Sequence, residues 1–243
     1  MRRAASGLLV TDPPDPGGTP PPYAVALVVN DPNHNSTTNV KADLETLGHT
    51  VTVVEDGNIS TTNFSSYDLI VAVRSLATQA LADDLYAVWD SGIPVMLPGL
   101  ANGTAGGSGR STSPTFLDLT QTWQVISSTS GNDANDITDA SHPITSEQGL
   151  GTVTIYSGGN WMSALDTGAA FVGDTLADGG PTTDLANQDT LIAVEEGTSR
   201  LGTSGATPAR AVVWGDMYAG QSGYTADGRA LIQRMLRWMM KDL

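Results

Sequence analysis

The sequence contains no cysteine among its 243 residues. This absence excludes disulfide bridges, thiolate metal sites and thiol nucleophiles, and it is compatible with reducing and oxidising compartments alike. The first apolar run, in MRRAASGLLVTD, is shorter than the ~7–15 apolar residues of a secretory signal, and no window reaches the ~18 apolar residues of a membrane span. We therefore expect no signal peptide and no transmembrane segment.

Basic residues are also scarce, since 11 Lys and Arg stand against 26 Asp and Glu and give a formal net charge of −15. A nucleic-acid partner would require a local basic patch. The basic residues concentrate only at Arg2 and Arg3 and on one predicted helix, where we expect a solvated face. An acidic surface also disfavours anionic membranes. We therefore expect neither a nucleic-acid partner nor a membrane partner. The basic residues of that helix are Arg229, Arg234, Arg237 and Lys241.

Residues 1–22 have little that could form a core. The stretch TDPPDPGGTPPP contains six prolines and two glycines, a composition that excludes helix and central strand. It predicts an extended, polyproline-like N-terminal arm. We expect this arm to dock on a neighbouring protein chain through Asp12, Pro13, Pro14, Pro16, Pro20, Pro21 and Pro22.

From residue 23 onward, continuous apolar runs alternate with helical patterns. Apolar runs of this kind are typical of strands that are buried on both faces of a sheet. One predicted helix starts with Ser36 or Thr37 as its N-cap and is closed by Gly48, and a second spans residues 78–92. The predicted strands are YAVALVVN (23–30), HTVTVVED (49–56), YDLIVAV (67–73) and IPVML (93–97).

This alternation predicts right-handed crossovers and a mostly parallel sheet. Residues 23–243 are therefore expected to form one α/β domain with helices on both faces of the sheet. A closing helix follows Thr225 as its N-cap. Further strand-like runs lie at residues 122–128, 151–157, 169–176, 190–197 and 210–217.

The order of these elements resembles the class I glutamine amidotransferase-like fold, and more specifically its trehalose-utilisation (ThuA-like) members. The resemblance rests on LGHTVTVVED, YDLIVAV, GIPVML, SHPIT, TPARAVVWGDM and YTADGRALIQRMLRW. It covers roughly residues 23–243 and implies a flavodoxin-like three-layer sandwich.

The resemblance also implies where a catalytic cysteine would stand. In catalytic amidotransferases, the strand beginning Gly-x-Pro-Val delivers a cysteine on a tight turn. In this sequence that position falls at or beside Gly99, between Pro98 and Leu100, and none of the three can act as a nucleophile. The chain is thus expected to be a degenerate member of the group, without catalytic residues and without enzymatic activity.

A polar crevice is a second candidate site. Asn33 and His34 follow the first predicted strand, where open α/β sheets bind ligands, and Asn102 follows the fourth. His142, in DASHPIT, could act as a base or bind sugar hydroxyls, or its imidazole could instead hydrogen-bond a turn that Pro143 makes rigid. Loops of Asn and Asp also commonly form plain turns.

No cofactor or metal motif stands out. Asp133, Asp136 and Asp139 recur every three residues, but they lack the full calcium-loop pattern and its distal Glu. The segment GTAGGSG lacks the Lys-Ser/Thr ending of a phosphate loop. We expect no metal and no cofactor.

Two functions remain open from the sequence. The first is a non-catalytic structural or interaction module that belongs to an oligomer or larger assembly. A phage virion is one such assembly, with the chain as a capsid decoration or tail protein on the virion or extracellular surface. The alternative is a carbohydrate-binding or carbohydrate-modifying ThuA-like protein.

Overall fold

The strands and helices of the chain follow the order expected of an α/β protein. The computed structural model describes residues 21–73, 76, 78–98, 125–132, 134–157, 160–165, 173–180, 186, 188–200, 205–215 and 223–243. The strands are β1 (Ala24–Val29), β2 (Thr50–Glu55), β3 (Leu69–Val73), β4 (Val95–Leu97), β5 (Val125–Asn132), β6 (Ala134–Ile137), β7 (Gly151–Thr154), β8 (Asn160–Leu165), β9 (Asp174–Gly179), β10 (Asp189–Val194) and β11 (Ala211–Trp214). The helices are α1 (Asn35–Thr46), α2 (Gln79–Asp90) and α3 (Ala226–Met239), and two short 3-10 helices, Asp56–Thr61 and Phe64–Ser66, join β2 to β3.

The first half of the sheet is parallel, as predicted. β1 lies between β2 and β3, and β4 lies between β3 and β11. Every residue of β3 and of β4 is buried. Because helices cover both faces of these strands, each strand is an uninterrupted apolar run.

The second half of the sheet is antiparallel, so the expectation of a mostly parallel sheet is wrong. From β11 the order continues through β10, β9, β6 and β7, and each of these neighbours is antiparallel to the one before it. β8 pairs with β10 and β5 off this path. The sheet is therefore mixed, since antiparallel neighbours such as β6 and β7 or β9 and β10 need no crossover helix between them.

The ends of the helices match several local signals in the sequence. The Thr225 side chain accepts a hydrogen bond from the Gly228 amide at 3.0 Å and caps α3, and Thr78 caps α2 in the same way. Gly48 and Gly92, which follow α1 and α2, both adopt positive φ angles, of 93° and 101°. A left-handed residue after a helix is the conformation that glycine adopts without strain.

The helices form a layer on each face of the sheet, which gives the three layers of an α/β sandwich. On one face, α1 and α3 pack on alternate residues of β1 and β3, including Leu27 and Val71. On the other face, α2 and the 3-10 helices pack on the intervening residues, including Val28 and Ile70. The predicted arm is described only at Pro21 and Pro22, which are both exposed, and residues 1–20 lie outside the described residues.

Candidate functional site

The carboxyl-terminal edge of the sheet is the end at which the parallel strands β1 to β4 and β11 terminate. Open α/β sheets bind ligands in the crevice at this edge. After β1, the Asn33 amide donates to the Asp31 carboxylate at 2.9 Å, and the Thr37 hydroxyl donates to the Asp31 carbonyl at 2.7 Å. The contact between Asn33 and Asp31 forms an Asx turn, and Asn33 is exposed on it.

His34 begins α1 rather than lining a crevice. Its Nδ1 accepts a hydrogen bond from the Ser36 amide at 3.1 Å, and this contact makes His34 the N-cap of the helix. Ser36 and Thr37, the N-caps expected from the sequence, are instead buried within the first turn. No sequence signal indicated this cap, because Ser, Thr, Asp and Asn are the preferred N-cap residues.

β4 ends where the resemblance places the nucleophile turn. Its three residues and Pro98 are buried. Gly99 and Leu100, which complete the predicted turn, lie outside the described residues, as does Asn102 of the predicted crevice. Among the described residues, the strand therefore delivers a proline to this edge of the sheet.

His142 lies at the opposite, amino-terminal edge. Its ring packs against Trp238 near the end of α3, with the ring centroids 5.2 Å apart. The guanidinium of Arg210, the residue before β11, lies 4.6 Å from the Trp238 ring and forms two hydrogen bonds with the Glu195 carboxylate. The expected crevice therefore does not form as a unit, because His142 and His34 lie at opposite edges of the sheet.

The contacts of His142 match the turn that was the other interpretation of this residue. Its Nδ1 accepts a hydrogen bond from the Ile144 amide at 3.2 Å. The Arg234 side chain holds the same turn by donating to the carbonyls of Pro143 and Ile144. Burial lowers the pKa of His142 below its usual value, so the ring stays neutral near neutral pH.

The remaining histidine, His49, anchors the start of the domain. It is buried, its ring stacks on Tyr23 at 5.0 Å, and its Nδ1 accepts a hydrogen bond from the Tyr23 amide at 3.3 Å. The Tyr23 hydroxyl donates to the Asp242 carboxylate at 2.5 Å. The Ala24 amide donates to Asp68 at 2.7 Å. The root of the arm is thus fixed from three sides.

A buried polar network at the carboxyl-terminal edge was not predicted from the sequence. Trp214 Nε1 donates to Asn135 Oδ1 at 3.0 Å, Asn135 Nδ2 donates to Thr190 Oγ1 at 2.9 Å, and Thr190 Oγ1 donates to the Ala177 carbonyl at 3.2 Å. The side chains of Trp214, Asn135 and Thr190 are all buried. Each donor has a partner, so the network stabilises the junction between β11, β10, β9 and β6.

Three aspartates lie side by side on neighbouring strands at the same edge of the sheet. Asp189 on β10 stands opposite Asp178 on β9, and Asp178 stands opposite Asp136 on β6. Burial and then the charge of Asp178 raise the pKa of Asp189 to about 6, and burial also raises the pKa of Asp178.

A carboxyl group whose pKa lies near the operating pH has a property that a general acid needs. Asp189 is 5% exposed, however, and is therefore hidden from a substrate. In the described ranges, no three His, Asp or Glu residues converge as a metal site would require. The geometry therefore favours a structural role for this row, in which a proton bound below pH ~6 relieves the repulsion between Asp178 and Asp189.

Two of the four basic residues expected on a solvated face of the last helix are instead turned inward, so that expectation is wrong for Arg234 and Arg237. Arg234 and Arg237 are each 8% exposed. Arg229 pairs with Asp43 at 3.2 Å, and Lys241, just beyond the helix, pairs with Glu196 at 2.6 Å. These cations link α3 to the turn at His142, to α1 and to the chain terminus.

Comparisons with known proteins find similarity only at the level of structure. No family model and no curated protein matches the sequence. A structure described as a ThuA-like protein from Parabacteroides merdae ATCC 43184 superposes with a TM-score of 0.61 at 16% identity, over 90% of both chains. A ThuA-like protein from Bacteroides uniformis ATCC 8492 gives 0.57 at 10% identity, over 89% of this chain and 91% of that one. A protein described as a GMP synthase subunit, from Thermoplasma acidophilum, gives 0.50 at 13% identity, over 90% of this chain and 93% of that one.

These likenesses establish the fold. Identities of 10–16% with similar chain coverage mean that the architecture is shared while most side chains differ. Across the described part of the chain, no helix is long and apolar enough to cross a bilayer. The chain has the class I glutamine amidotransferase-like fold, an α/β sandwich around a mixed sheet.

Proposed function

We propose that this protein is a non-catalytic interaction module built on a glutamine amidotransferase-like fold, a degenerate member without the nucleophilic cysteine. One observation carries the proposal. The chain has no cysteine and only three histidines, and each histidine accepts a main-chain N–H at Nδ1.

This hydrogen-bond pattern has a direct chemical consequence. A neutral imidazole carries one proton, so a ring that accepts at Nδ1 holds its proton on Nε2. A Ser-His-Asp arrangement requires the opposite tautomer, with the proton on Nδ1 and a free lone pair on Nε2 facing the nucleophile. With the proton on Nε2, none of the rings of His34, His49 and His142 presents the free Nε2 lone pair that a Ser-His-Asp arrangement uses.

The charge distribution favours the arm as the contact with a partner. Arg2 and Arg3 cancel Asp12 and Asp15, so the whole formal charge of −15 lies on residues 23–243. Two such domains repel each other, whereas the arm approaches an acidic neighbour without that cost. Proline-rich segments also lose little conformational entropy when they bind. The partners are therefore protein chains of an oligomer or larger particle, with a phage virion as the predicted assembly.

The proposal is tested by removing the arm. We expect a chain that lacks residues 1–22 to lose self-association or particle binding in light scattering, because the domain alone is repulsive. Its thermal unfolding midpoint should match that of the full chain, since Tyr23 and its contacts remain. A truncated chain that still assembles would overturn the proposal.

The full chain and the truncated chain also test the alternative function, carbohydrate binding. Thermal-shift measurements with mono- and disaccharides should show no stabilisation of either the full chain or the truncated one. Stabilisation by a sugar that persists without residues 1–22 would place a ligand on the domain and support the carbohydrate-binding function instead.

A further inference from the structure

The sequence contains four Asn-x-Ser/Thr triplets, the acceptor motif for N-linked glycosylation. They begin at Asn35, Asn58, Asn63 and Asn102, and none has proline in the middle. Asn102 lies outside the described residues, and the other three lie at the start of α1 and in the connection between β2 and β3. Because a transferase must reach the side-chain nitrogen of the asparagine and the hydroxyl of the third residue, the fold decides which triplet it can use.

The triplet at Asn35 is closed by the helix that contains it. Asn35 is exposed, but Ser36 and Thr37 are 0% and 1% exposed in the first turn of α1. The Thr37 hydroxyl donates to the Asp31 carbonyl at 2.7 Å. The hydroxyl that the motif requires is therefore engaged inside the domain, and α1 must open locally before a transferase can reach it.

The triplet at Asn58 is accessible but lies within a helical turn. Asn58 and Ser60 are exposed, and both belong to the 3-10 helix Asp56–Thr61. The Asn58 carbonyl accepts hydrogen bonds from the Thr62 amide at 3.0 Å and from the Thr62 hydroxyl at 2.8 Å. An enzyme cleft that holds the triplet in an extended form must break this turn first.

The triplet at Asn63 is accessible, and its asparagine stands outside the helical turns. Asn63 lies between the two 3-10 helices with φ −81° and ψ 92°, an extended conformation, and only the single turn Phe64–Ser66 follows it. Asn63 and Ser65 are exposed, whereas Phe64 between them is 5% exposed and packs in the core. The buried middle side chain anchors the triplet and leaves both recognised side chains on the surface.

The carboxamide of Asn63 is already oriented by the third residue of its triplet. The Ser65 hydroxyl donates to Asn63 Oδ1 at 2.8 Å, and the Ser65 amide donates to the same oxygen at 3.3 Å. Both bonds use the oxygen, so within the described part of the chain the nitrogen Nδ2 makes no hydrogen bond. Donors at Oδ1 also stabilise the charge that develops on the carboxamide when Nδ2 loses a proton.

We propose that Asn63 is an acceptor for N-linked glycosylation of the folded chain. This modification is independent of the proposed function. Nδ2 forms a bond to the anomeric carbon of a sugar that is activated as a diphosphate ester, and the bond from that carbon to the diphosphate oxygen breaks with its electron pair. The Nδ2 proton passes to a base of the transferase. A nucleoside-diphosphate sugar and a polyprenyl-diphosphate oligosaccharide are both donors with this chemistry.

Mass spectrometry with peptide mapping tests the proposal on the folded full-length chain. One sample receives a soluble N-glycosyltransferase with uridine-diphosphate glucose, and a second receives a membrane oligosaccharyltransferase with a polyprenyl-diphosphate oligosaccharide. We expect Asn63 to be modified faster than Asn35 by a factor on the order of 100, because α1 must first open locally. The donor that supports transfer identifies the source of the sugar.

Variants of the same turn separate recognition of the triplet from simple exposure. N63Q and S65A should each lose the modification at this position, and S65T should keep it because the hydroxyl is retained. Ser66 is exposed next to the triplet, so S66A removes a neighbouring hydroxyl and is the matched control that should also keep it. Far-ultraviolet circular dichroism verifies that each variant folds.

A tryptic digest of the same chain is the unfolded reference. In the digest, Asn35 should be modified about as fast as Asn63, because Thr37 is no longer buried. A folded chain that neither enzyme modifies at Asn63 would overturn the proposal, and so would equal rates at Asn35 and Asn63 in the folded chain.

Discussion

The two halves of the sheet bury very different side chains. In the parallel half, β1, β3 and β4 are apolar throughout and are covered by helices on both faces. In the antiparallel half, β6, β9 and β10 carry Asn135, Asp178 and Asp189 into or beside the core. The strands of the first half therefore contribute an apolar core, whereas those of the second half also bury polar groups that need partners.

The largest expected effect comes from the junction of the two halves. Trp214 is fully buried at the end of β11, stacks on Tyr224 at 5.4 Å and donates to Asn135. We expect W214A to lower the free energy of unfolding by about 3–5 kcal/mol, through the cavity and the lost hydrogen bond. Urea denaturation measures this loss, and a change below ~1 kcal/mol would show that the junction does not hold the two halves together.

A substitution in the polar network should cause a smaller loss of unfolding free energy. Asn135→Leu fills similar space but leaves Trp214 Nε1 without its acceptor and removes the donor to Thr190. We expect a loss of about 1–3 kcal/mol, because a buried donor without a partner keeps its desolvation penalty. V71A in β3 is the comparison from the parallel half, and only N135L should also disturb the near-ultraviolet signal of Trp214.

The carboxylate pair predicts a pH dependence that the parallel half lacks. The pKa of Asp189 is about 6 in the folded chain and ~3.9 in an unfolded one. The folded state binds more protons between these values, so the contribution of Asp189 to stability is fully present below pH ~4 and falls by up to about 3 kcal/mol as the pH rises to 6.

The variant D189N should remove that dependence and stabilise the chain at pH 7.5 by up to a similar amount. The substitution removes a charge that must otherwise be buried. D174N, at an exposed position on β9, is the control and should keep the slope of the wild-type chain. A wild-type stability that rises between pH 4.5 and 7 would contradict the shared proton.

The smallest expected loss of stability comes from a substitution in the parallel half. H34A removes the N-cap of α1 and should cost about 1 kcal/mol, as cap removal commonly does. H34N restores a preferred cap residue and should recover most of the loss. Chemical denaturation distinguishes the two variants, and a ligand-binding role for His34 alone would leave both equally stable.

The contrast between the two halves also explains which structural elements could be predicted from the sequence. The positions of β1, β3 and β4 follow from apolar runs, and the cap Thr225 follows from a local signal, so all of them agree with expectation. The strand β6 was not among the predicted strands, because ANDI contains two polar residues, and Asn135 finds its partners on β10 and β11.

Long-range partners also limited the prediction of the site. The inward direction of Arg234 depends on the carbonyls of Pro143 and Ile144, about ninety residues away. The separation of His34 from His142 follows from the direction in which β10 and β9 return, which the local pattern does not encode. Of the three Nδ1 hydrogen bonds, only the one between His49 and the Tyr23 amide joins distant residues, and those of His34 and His142 are local contacts.

The most direct measurement of the central claim is turnover by the intact protein. Glutamine hydrolysis and glycoside hydrolysis are measured for the wild-type chain, H34A and H142A, with H49A excluded because it disturbs the root of the arm. We predict that all three give the uncatalysed background rate at every pH from 5 to 9. Turnover by the wild-type chain that disappears in H34A or H142A would contradict the assignment of these imidazoles to purely structural roles.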